Sequence, residues 1–213
     1  MARAVTVDAL DRACRPRVLP VATVSDPADA PRLAAALAEG GAEAIEVTFR
    51  TEAAPRVVAS LADSGLVVGA GTIRTVAQVD EALAAGAQFV VSPALDAAVV
   101  ERCLDAGVPV LPGIATATEL AHAIALGLDT VKVFPAEPLG GAVLIAALAA
   151  PFPEARFVPT GGVGSHNAAG YLRLPQVRAI GGSWMVAPKL LAERAWETVT
   201  RLTAEAIALG VEA

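Results

Sequence analysis

The chain alternates between short apolar runs and longer segments whose apolar residues recur at helical spacing. The runs are continuous and rich in β-branched residues, which is typical of strands covered on both faces. They predict eight strands: VLPVATV (18–24), AIEVTFR (44–50), LVVGAGTI (66–73), FVVSP (89–93), VPVLPGI (108–114), TVKVFPA (130–136), RFVPTGGV (156–163) and VRAIGG (177–182).

The segments between these runs predict helices of one recurring type. DAPRLAAALAEGGA, VDEALAAGA, VERCLDAGV and AHAIALGL resemble one another, and in each a glycine comes where a left-handed cap ends a helix. Strict alternation of strand and helix indicates parallel strands joined by right-handed crossovers. Eight such units in 213 residues predict an α/β fold, a (β/α)8 TIM barrel, as a single domain over residues 1–213. The alternative is an open doubly wound sheet, although no GxGxxG turn follows the first strand.

Two further helices are predicted at the ends of the chain. TVDALDRACR (6–15) predicts an extra N-terminal helix that covers the bottom of the barrel, and APKLLAERAWETVTRLTAEAIAL (187–209) predicts one long last helix. The N-terminus lacks the apolar core of a signal peptide, and no apolar run is long enough to span a bilayer. We therefore expect a soluble, cytoplasmic protein.

Composition narrows the classes of partner. The net charge is −6, which argues against a nucleic-acid surface but leaves room for a small anionic substrate in a locally positive site. Cys14 and Cys103 are far apart and predict two free thiols. No CxxC motif or Cys/His cluster suggests a metal, and we expect no cofactor.

Two ionisable residues occupy positions that should face the interior of the barrel. Side chains alternate along a strand, so Glu46 and Lys132 point inward while their apolar neighbours pack against the helices. One interpretation is a structural ion pair, although such pairs are poor stabilisers. The other is catalytic: both residues lie near the carboxyl ends of strands, where barrels carry active sites. A desolvated amine can be a neutral nucleophile that condenses with a ketone, and a carboxylate beside it can move protons.

Glycine-rich loops follow the last two strands. PTGGVGSHN and IGGSWM occupy the positions at which barrels often bind phosphate through backbone N–H groups, and the hydroxyl of Ser183 can add a donor. The alternative is that these glycines only form tight turns.

Three more residues are expected at the same rim. GAGTI and SPA place Thr72 and Pro93 there, after the third and fourth strands. Arg50 can hold a carboxylate in a bidentate manner or form a rim salt bridge. The histidines are less informative: His122 is expected within a helix and His166 at a helix start.

Taken together, seven motifs occur in the order found in one enzyme family. They are IEVTFRT, VGAGTI, QFVVSP, PVLPGIATATEL, VKVFPAE, FVPTGGV and IGGSW. From about residue 10 to residue 190 the chain resembles the 2-keto-3-deoxy-6-phosphogluconate (KDPG) aldolases, a family that also includes enzymes that cleave 4-hydroxy-2-oxoglutarate (KHG).

The resemblance implies a class I aldolase that needs no metal, forms a Schiff base and is typically a homotrimer. It implies that Lys132 is the Schiff-base lysine and that Glu46 is the general acid/base. It also implies a set of substrate-binding residues: Arg50 and Thr72 for the pyruvyl carboxylate, Pro93 and Thr160 lining the site, and Gly161, Gly162, Gly182 and Ser183 for the 6-phosphate.

The sequence departs from the family pattern at a few positions. Ala94 follows Pro93 where the family usually has glycine or asparagine, which bears on the shape of the rim and on substrate preference. Two other functions remain open on the residues alone: a phosphosugar isomerase or epimerase that uses the glycine loops without imine chemistry, and a phosphometabolite-binding protein in which Lys132 and Glu46 only form a pair.

Overall fold

A computed structural model describes residues 8–212, which fold as an α/β protein around a curled parallel sheet. Every strand pair is parallel, as the alternation predicts. The strands are β1 (Val18–Ala22), β2 (Ala44–Thr48), β3 (Val67–Gly71), β4 (Phe89–Val91), β5 (Val110–Leu111), β6 (Gly113–Ile114), β7 (Thr130–Val133), β8 (Arg156–Pro159) and β9 (Ile180–Gly182). Six form one sheet in the order β5-β4-β3-β2-β1-β9, and three form a second in the order β6-β7-β8.

Helices follow the strands along the chain, and most of them match the predicted helical segments. They are α1 (Asp8–Cys14), α2 (Ala30–Glu39), α3 (Ala54–Ser60), α4 (Val76–Ala84), α5 (Ala97–Asp105), α6 (Ala117–Ala125), α7 (Gly141–Ala149), α8 (Ala168–Leu172), α9 (Pro188–Ala192) and α10 (Trp196–Glu212). The prediction for the N-terminal helix is confirmed over Asp8–Cys14, and residues 6 and 7 lie outside the described part.

Local side-chain chemistry sets several helix starts. Thr75 and Asp96 precede α4 and α5, and each side chain accepts a hydrogen bond from a backbone N–H in the first turn. Thr116 and Glu119 form a reciprocal capping box at the start of α6. These helices begin just after the carboxyl ends of their strands, so the caps help to fix that rim.

The prediction of one long last helix is wrong, because the chain breaks between α9 and α10. Arg194 lies in the break with a φ of 51°, in the left-handed region that ends a helix. Its guanidinium forms an ion pair with Asp29, 2.8 Å away, ahead of α2. The sequence shows no glycine or proline at this position, so nothing in its pattern indicated the break.

The fifth predicted strand is interrupted at Pro112. The part before it, β5, pairs with β4, and the part after it, β6, pairs with β7. Proline has no N–H group to give to a ladder. Its carbonyl oxygen still accepts a hydrogen bond from the backbone N–H of Lys132, at 2.8 Å. This strand therefore passes from one sheet to the other.

The predicted alternation of side chains holds on both faces of the sheet. Ile45, Val47, Val131 and Val133 belong to the apolar layer between the strands and the helices. A separate inner cluster combines residues from the strands with residues of α1, which covers the amino ends of the strands. Its members are Leu10, Ala13, Cys14, Leu19, Ala44, Val67, Phe89, Val91, Leu111, Val158 and Ala179.

Both cysteines are free and buried, which confirms the prediction of two free thiols. Burial raises the pKa of Cys14 to about 12. Burial also raises the pKa of Cys103 to about 12, although the nearby charge of Arg102 acts to lower it. Neither is a reactive thiol at neutral pH. Within residues 8–212, none of the helices is long and apolar enough to span a membrane.

Candidate active site

Lys132 and Glu46 meet inside the curled sheet. Nζ of Lys132, on β7, lies 3.5 Å from Oε1 of Glu46, on β2, and only 7% and 2% of the two side chains are exposed. The amine also lies 5.3 Å from the centroid of the Phe134 ring. The structure thus brings together, across 86 positions of sequence, the two residues on which the sequence interpretation depends.

A glycine on the neighbouring strand makes room for the Glu46 carboxylate. A β-carbon added to Gly71, on β3, would lie 2.1 Å from Oε1 of Glu46. Such an approach is far inside van der Waals contact, so any side chain there would displace the carboxylate. Thr72 follows with a φ of 62°, which is rare for a β-branched residue and concentrates at functional sites.

A cavity of about 230 Å³ lies at the carboxyl ends of the strands, directly beyond the pair. It is lined by Thr48 and Phe134, which come two residues after Glu46 and Lys132 in the sequence. The full lining is Val21, Thr23, Thr48, Arg50, Phe134, Thr160, Gly161, Gly162, Val163, Gly181, Gly182, Ser183, Val186 and Pro188.

The cavity collects six of the ten predicted site residues: Arg50, Thr160, Gly161, Gly162, Gly182 and Ser183. Glu46 and Lys132 are buried just behind it, and Thr72 and Pro93 are half-buried outside its lining. Pro93 packs with its carbonyl oxygen against β6: a β-carbon on Gly113 would lie 2.3 Å from that oxygen. Ala94 is exposed, and its carbonyl oxygen accepts a hydrogen bond from Ser92 Oγ at 2.7 Å.

The loop after β8 presents unused backbone donors to the cavity. Gly161 and Gly162 have φ values of 92° and 79°, a conformation that glycine adopts without strain. The N–H groups of Gly162 and Val163 donate no hydrogen bond to any residue between 8 and 212. Successive free N–H groups in such a turn form a concave site for anions, and Ser183 lines the same space.

Arg50 supplies a positive charge at the cavity. Its side chain is exposed and forms no hydrogen bond or ion pair with any described residue. Within the described residues, Arg50 therefore does not form the rim salt bridge that was the alternative prediction. An unpaired guanidinium beside a cavity can bind a carboxylate or a phosphate.

Sequence reasoning missed a pair of hydroxyl groups at this site. Thr23 and Thr48 both line the cavity, and their Oγ1 atoms lie 2.8 Å apart. The signal was present, because the alternation that turns Glu46 inward also turns Thr48 inward, and Thr23 continues the inward face of the first strand. The apolar residues Val21, Val163, Val186 and Pro188 were also missed, because nothing in their local pattern distinguishes them from core residues.

A second cavity, of about 330 Å³, lies at the opposite end of the strands, beside α1. Arg178 lines it and is already paired with Asp11, on α1. None of the predicted site residues lies there. In the described residues no group of three or more histidine, cysteine, aspartate and glutamate side chains is arranged to hold a metal ion.

Comparison with known proteins places the chain in one enzyme family. A family model described as "Aldolase: KDPG and KHG aldolase" matches residues 10–202. A 2-dehydro-3-deoxy-phosphogluconate aldolase from Treponema pallidum is 47% identical over 195 residues, which cover 91% of this chain and 93% of the relative. A KHG/KDPG aldolase from Escherichia coli is 39% identical over 192 residues, 89% of this chain and 90% of the relative.

A similar solved structure is that of the KDPG aldolase from Legionella pneumophila, with pyruvate captured as a covalent carbinolamine intermediate. It superposes with a TM-score of 0.88 at 34% identity and covers 92% of this chain and 96% of the other. The match spans nearly the whole chain in sequence and in structure. The chain therefore belongs to the KDPG and KHG aldolase family and is a carbon–carbon lyase.

Proposed function

We propose that the chain is a class I aldolase that reversibly cleaves KDPG to pyruvate and glyceraldehyde 3-phosphate through a Schiff base on Lys132. The observation that carries this proposal is the buried Lys132 amine 3.5 Å from the Glu46 carboxylate, directly behind a cavity with free N–H donors. The same site also accepts KHG, which gives pyruvate and glyoxylate. A relative named KHG/KDPG aldolase supports this second substrate.

The first step joins Lys132 to the keto acid. The amine attacks C2 of the substrate, the carbinolamine loses water, and an iminium forms. Both side chains are almost completely buried, so the amine meets the keto acid away from bulk water. The covalent carbinolamine seen with pyruvate in the Legionella relative supports this chemistry.

The second step breaks the C3–C4 bond. Glu46 removes the proton from the C4 hydroxyl, the aldehyde leaves, and the bonding electrons move into the iminium to give an enamine. Protonation at C3, assisted by Glu46, and hydrolysis release pyruvate and restore the lysine. The iminium accepts the electrons, so these steps use no metal or organic cofactor.

The remaining site residues bind the two anionic ends of the substrate. Arg50 and Thr72 hold the pyruvyl carboxylate, and Pro93 and Thr160 line the reacting carbon chain. Gly161, Gly162, Gly182 and Ser183 hold the 6-phosphate. The unpaired guanidinium of Arg50 and the free N–H groups after β8 support this assignment.

We also infer that the single domain, residues 1–213, closes as a (β/α)8 barrel. The strand that passes between the sheets at Pro112 supports closure on one side. On the other side, isolated bridges join Phe157 to Val177 and Thr160 to Gly181, so β8 approaches β9. The shared inner cluster has the composition of a barrel interior.

We further propose a homotrimer in the cytoplasm. The outer side of α7 is apolar, with Val143 80% exposed, which suits a contact between subunits. No charged residue occurs between Pro138 and Pro153. Two buried thiols that stay unpaired suit a reducing compartment.

The proposal is tested by substitution of each of the chain's two lysines. Lys132→Met should abolish release of pyruvate from KDPG, a loss of at least about 10⁴-fold if the iminium carries the reaction. Lys189→Met is the matched control, because the Lys189 side chain is exposed and its amine forms an ion pair with Glu193, at 3.9 Å. It should keep full activity. Normal turnover by Lys132→Met, with a fold preserved by circular dichroism, would show that the assignment is wrong.

A further inference from the structure

A second polar cluster lies beside the cavity and contains the chain's only asparagine and only tyrosine. Asn167 and Tyr171 both donate a hydrogen bond to Oε2 of Glu137, at 3.0 Å and 2.5 Å. Glu137 comes five residues after Lys132, in the loop that follows β7. None of the three residues lines the cavity, and the reaction as derived uses none of them.

Asn167 clamps the glycine loop at two points. Its Nδ2 donates to the carbonyl oxygen of Gly162, and its Oδ1 accepts from the N–H of Gly164, at 3.0 Å and 2.8 Å. The side chain therefore holds both ends of the turn whose N–H groups face the cavity. Without it, the carbonyl of Gly162 and the N–H of Gly164 lose their partner in the described chain.

Glu137 ties the same loop to the strand that carries Lys132. The backbone N–H of Glu137 donates to the carbonyl oxygen of Gly161 at 3.0 Å. The two loops are also closely packed, because a β-carbon added to Gly162 would lie 2.5 Å from the β-carbon of Glu137. Its carboxylate meanwhile fixes the amide of Asn167. The loop after β7 and the loop after β8 are thus packed and hydrogen-bonded as one unit.

Tyr171 anchors this unit in the core. Its side chain is 2% exposed, on α8, and only its hydroxyl reaches Glu137. Burial, together with the hydrogen bond to Glu137 and the charge of Glu137, raises the pKa of Tyr171. The hydroxyl therefore stays a donor at neutral pH, and its hydrogen bond helps to fix the Glu137 carboxylate that holds Asn167.

We propose that Glu137, Asn167 and Tyr171 are positioning residues that hold the Gly161–Gly164 loop in its phosphate-binding shape and so set the preference for a phosphorylated substrate. This inference rests on the proposed function, because it concerns the site assigned there to the 6-phosphate. The three side chains act only through the loop, since they do not reach the cavity. Their loss should therefore weaken binding of the phosphate and leave the chemistry at Lys132 intact.

The test compares KDPG, which carries the phosphate, with KHG, which does not. Asn167→Ala should raise KM for KDPG about tenfold, the effect of losing hydrogen bonds that shape a charged site, with kcat within a factor of about two. KM for KHG should stay at the wild-type value. Ser165→Ala is the matched control: Ser165 is in the same loop, is exposed and forms no hydrogen bond with a described residue, and the variant should match wild type for both substrates.

Further variants separate positioning from a general effect on folding. Tyr171→Phe removes one hydroxyl and should raise KM for KDPG about threefold, a smaller change than that of Asn167→Ala. Glu137→Gln retains an acceptor oxygen and should restore most of the affinity that Glu137→Ala loses. If these variants only lower the melting temperature, or change KM for both substrates equally, the cluster is structural and the inference is overturned.

Failure of this inference is distinguishable from failure of the proposed function. The inference alone is overturned if the wild-type enzyme cleaves KDPG and depends on Lys132, but Asn167 variants change KM for KDPG and KHG equally. Wild-type enzyme that cleaves neither substrate overturns both. A selective rise in KM for KDPG, with KHG unchanged, supports both.

Discussion

The two ends of the curled sheet are built from the same strands but from opposite kinds of residue. At the amino ends, inward-facing side chains such as Leu19, Val67 and Leu111 pack with Leu10 of α1 into an apolar cluster. At the carboxyl ends, the inward-facing positions carry Thr48, threonines of other strands and glycines around an open cavity. The inward-facing positions at the amino ends carry apolar side chains that pack together, whereas those at the carboxyl ends carry small and polar residues that leave room for a ligand.

Strand β3 shows this difference within three residues. Gly69 and Gly71 both face inward, and a β-carbon on either would lie 2.1 Å from its nearest neighbour. At Gly69 the neighbour is the ring of Phe89, which belongs to the apolar cluster. At Gly71 it is the carboxylate of Glu46. Neither glycine has a positive φ, so an added methyl group tests space alone.

Of the two glycines, Gly71 is expected to have the larger effect on activity. Gly71→Ala should displace the Glu46 carboxylate and lower kcat/KM for KDPG about 100-fold, because small errors in the placement of a catalytic group are costly. Steady-state kinetics measures this effect, and thermal unfolding serves as the control. Full activity in a folded Gly71→Ala enzyme would contradict the role given to Glu46 or the position given to its carboxylate.

A smaller effect, on a different property, is expected at Gly69. Gly69→Ala must move the Phe89 ring, so it should lower the free energy of unfolding by about 1–3 kcal/mol, the usual cost of overpacking. Urea denaturation measures this loss. The kcat of the fraction that remains folded should equal that of wild type. If Gly69→Ala instead reduced kcat as much as Gly71→Ala, the amino ends of the strands would also serve catalysis, which contradicts the purely structural role given to them.

The features that strand alternation governs could be predicted from the sequence. A period of two places Glu46 and Lys132 inside, and eight apolar runs alternating with helices indicate the parallel sheet. The position of the cavity follows from these, because parallel strands bring their carboxyl ends to one rim.

Features that depend on turns could not be predicted in the same way. The break at Arg194 comes from one residue with a positive φ, which no local pattern marks. The change of sheet at Pro112 depends on which strands lie beside each half of the interrupted strand, and the local sequence does not specify this. Asn167 meets Glu137 only because two loops fold against each other, and a periodic pattern carries no information on such contacts.

Chemical trapping detects a Schiff base on Lys132 directly. Wild-type enzyme is incubated with pyruvate, reduced with borohydride and digested, and the peptides are examined by mass spectrometry. We expect one reduced pyruvyl group per chain, on Lys132, with Lys189 unmodified. An unmodified Lys132, under conditions in which the enzyme turns over KDPG, would contradict it.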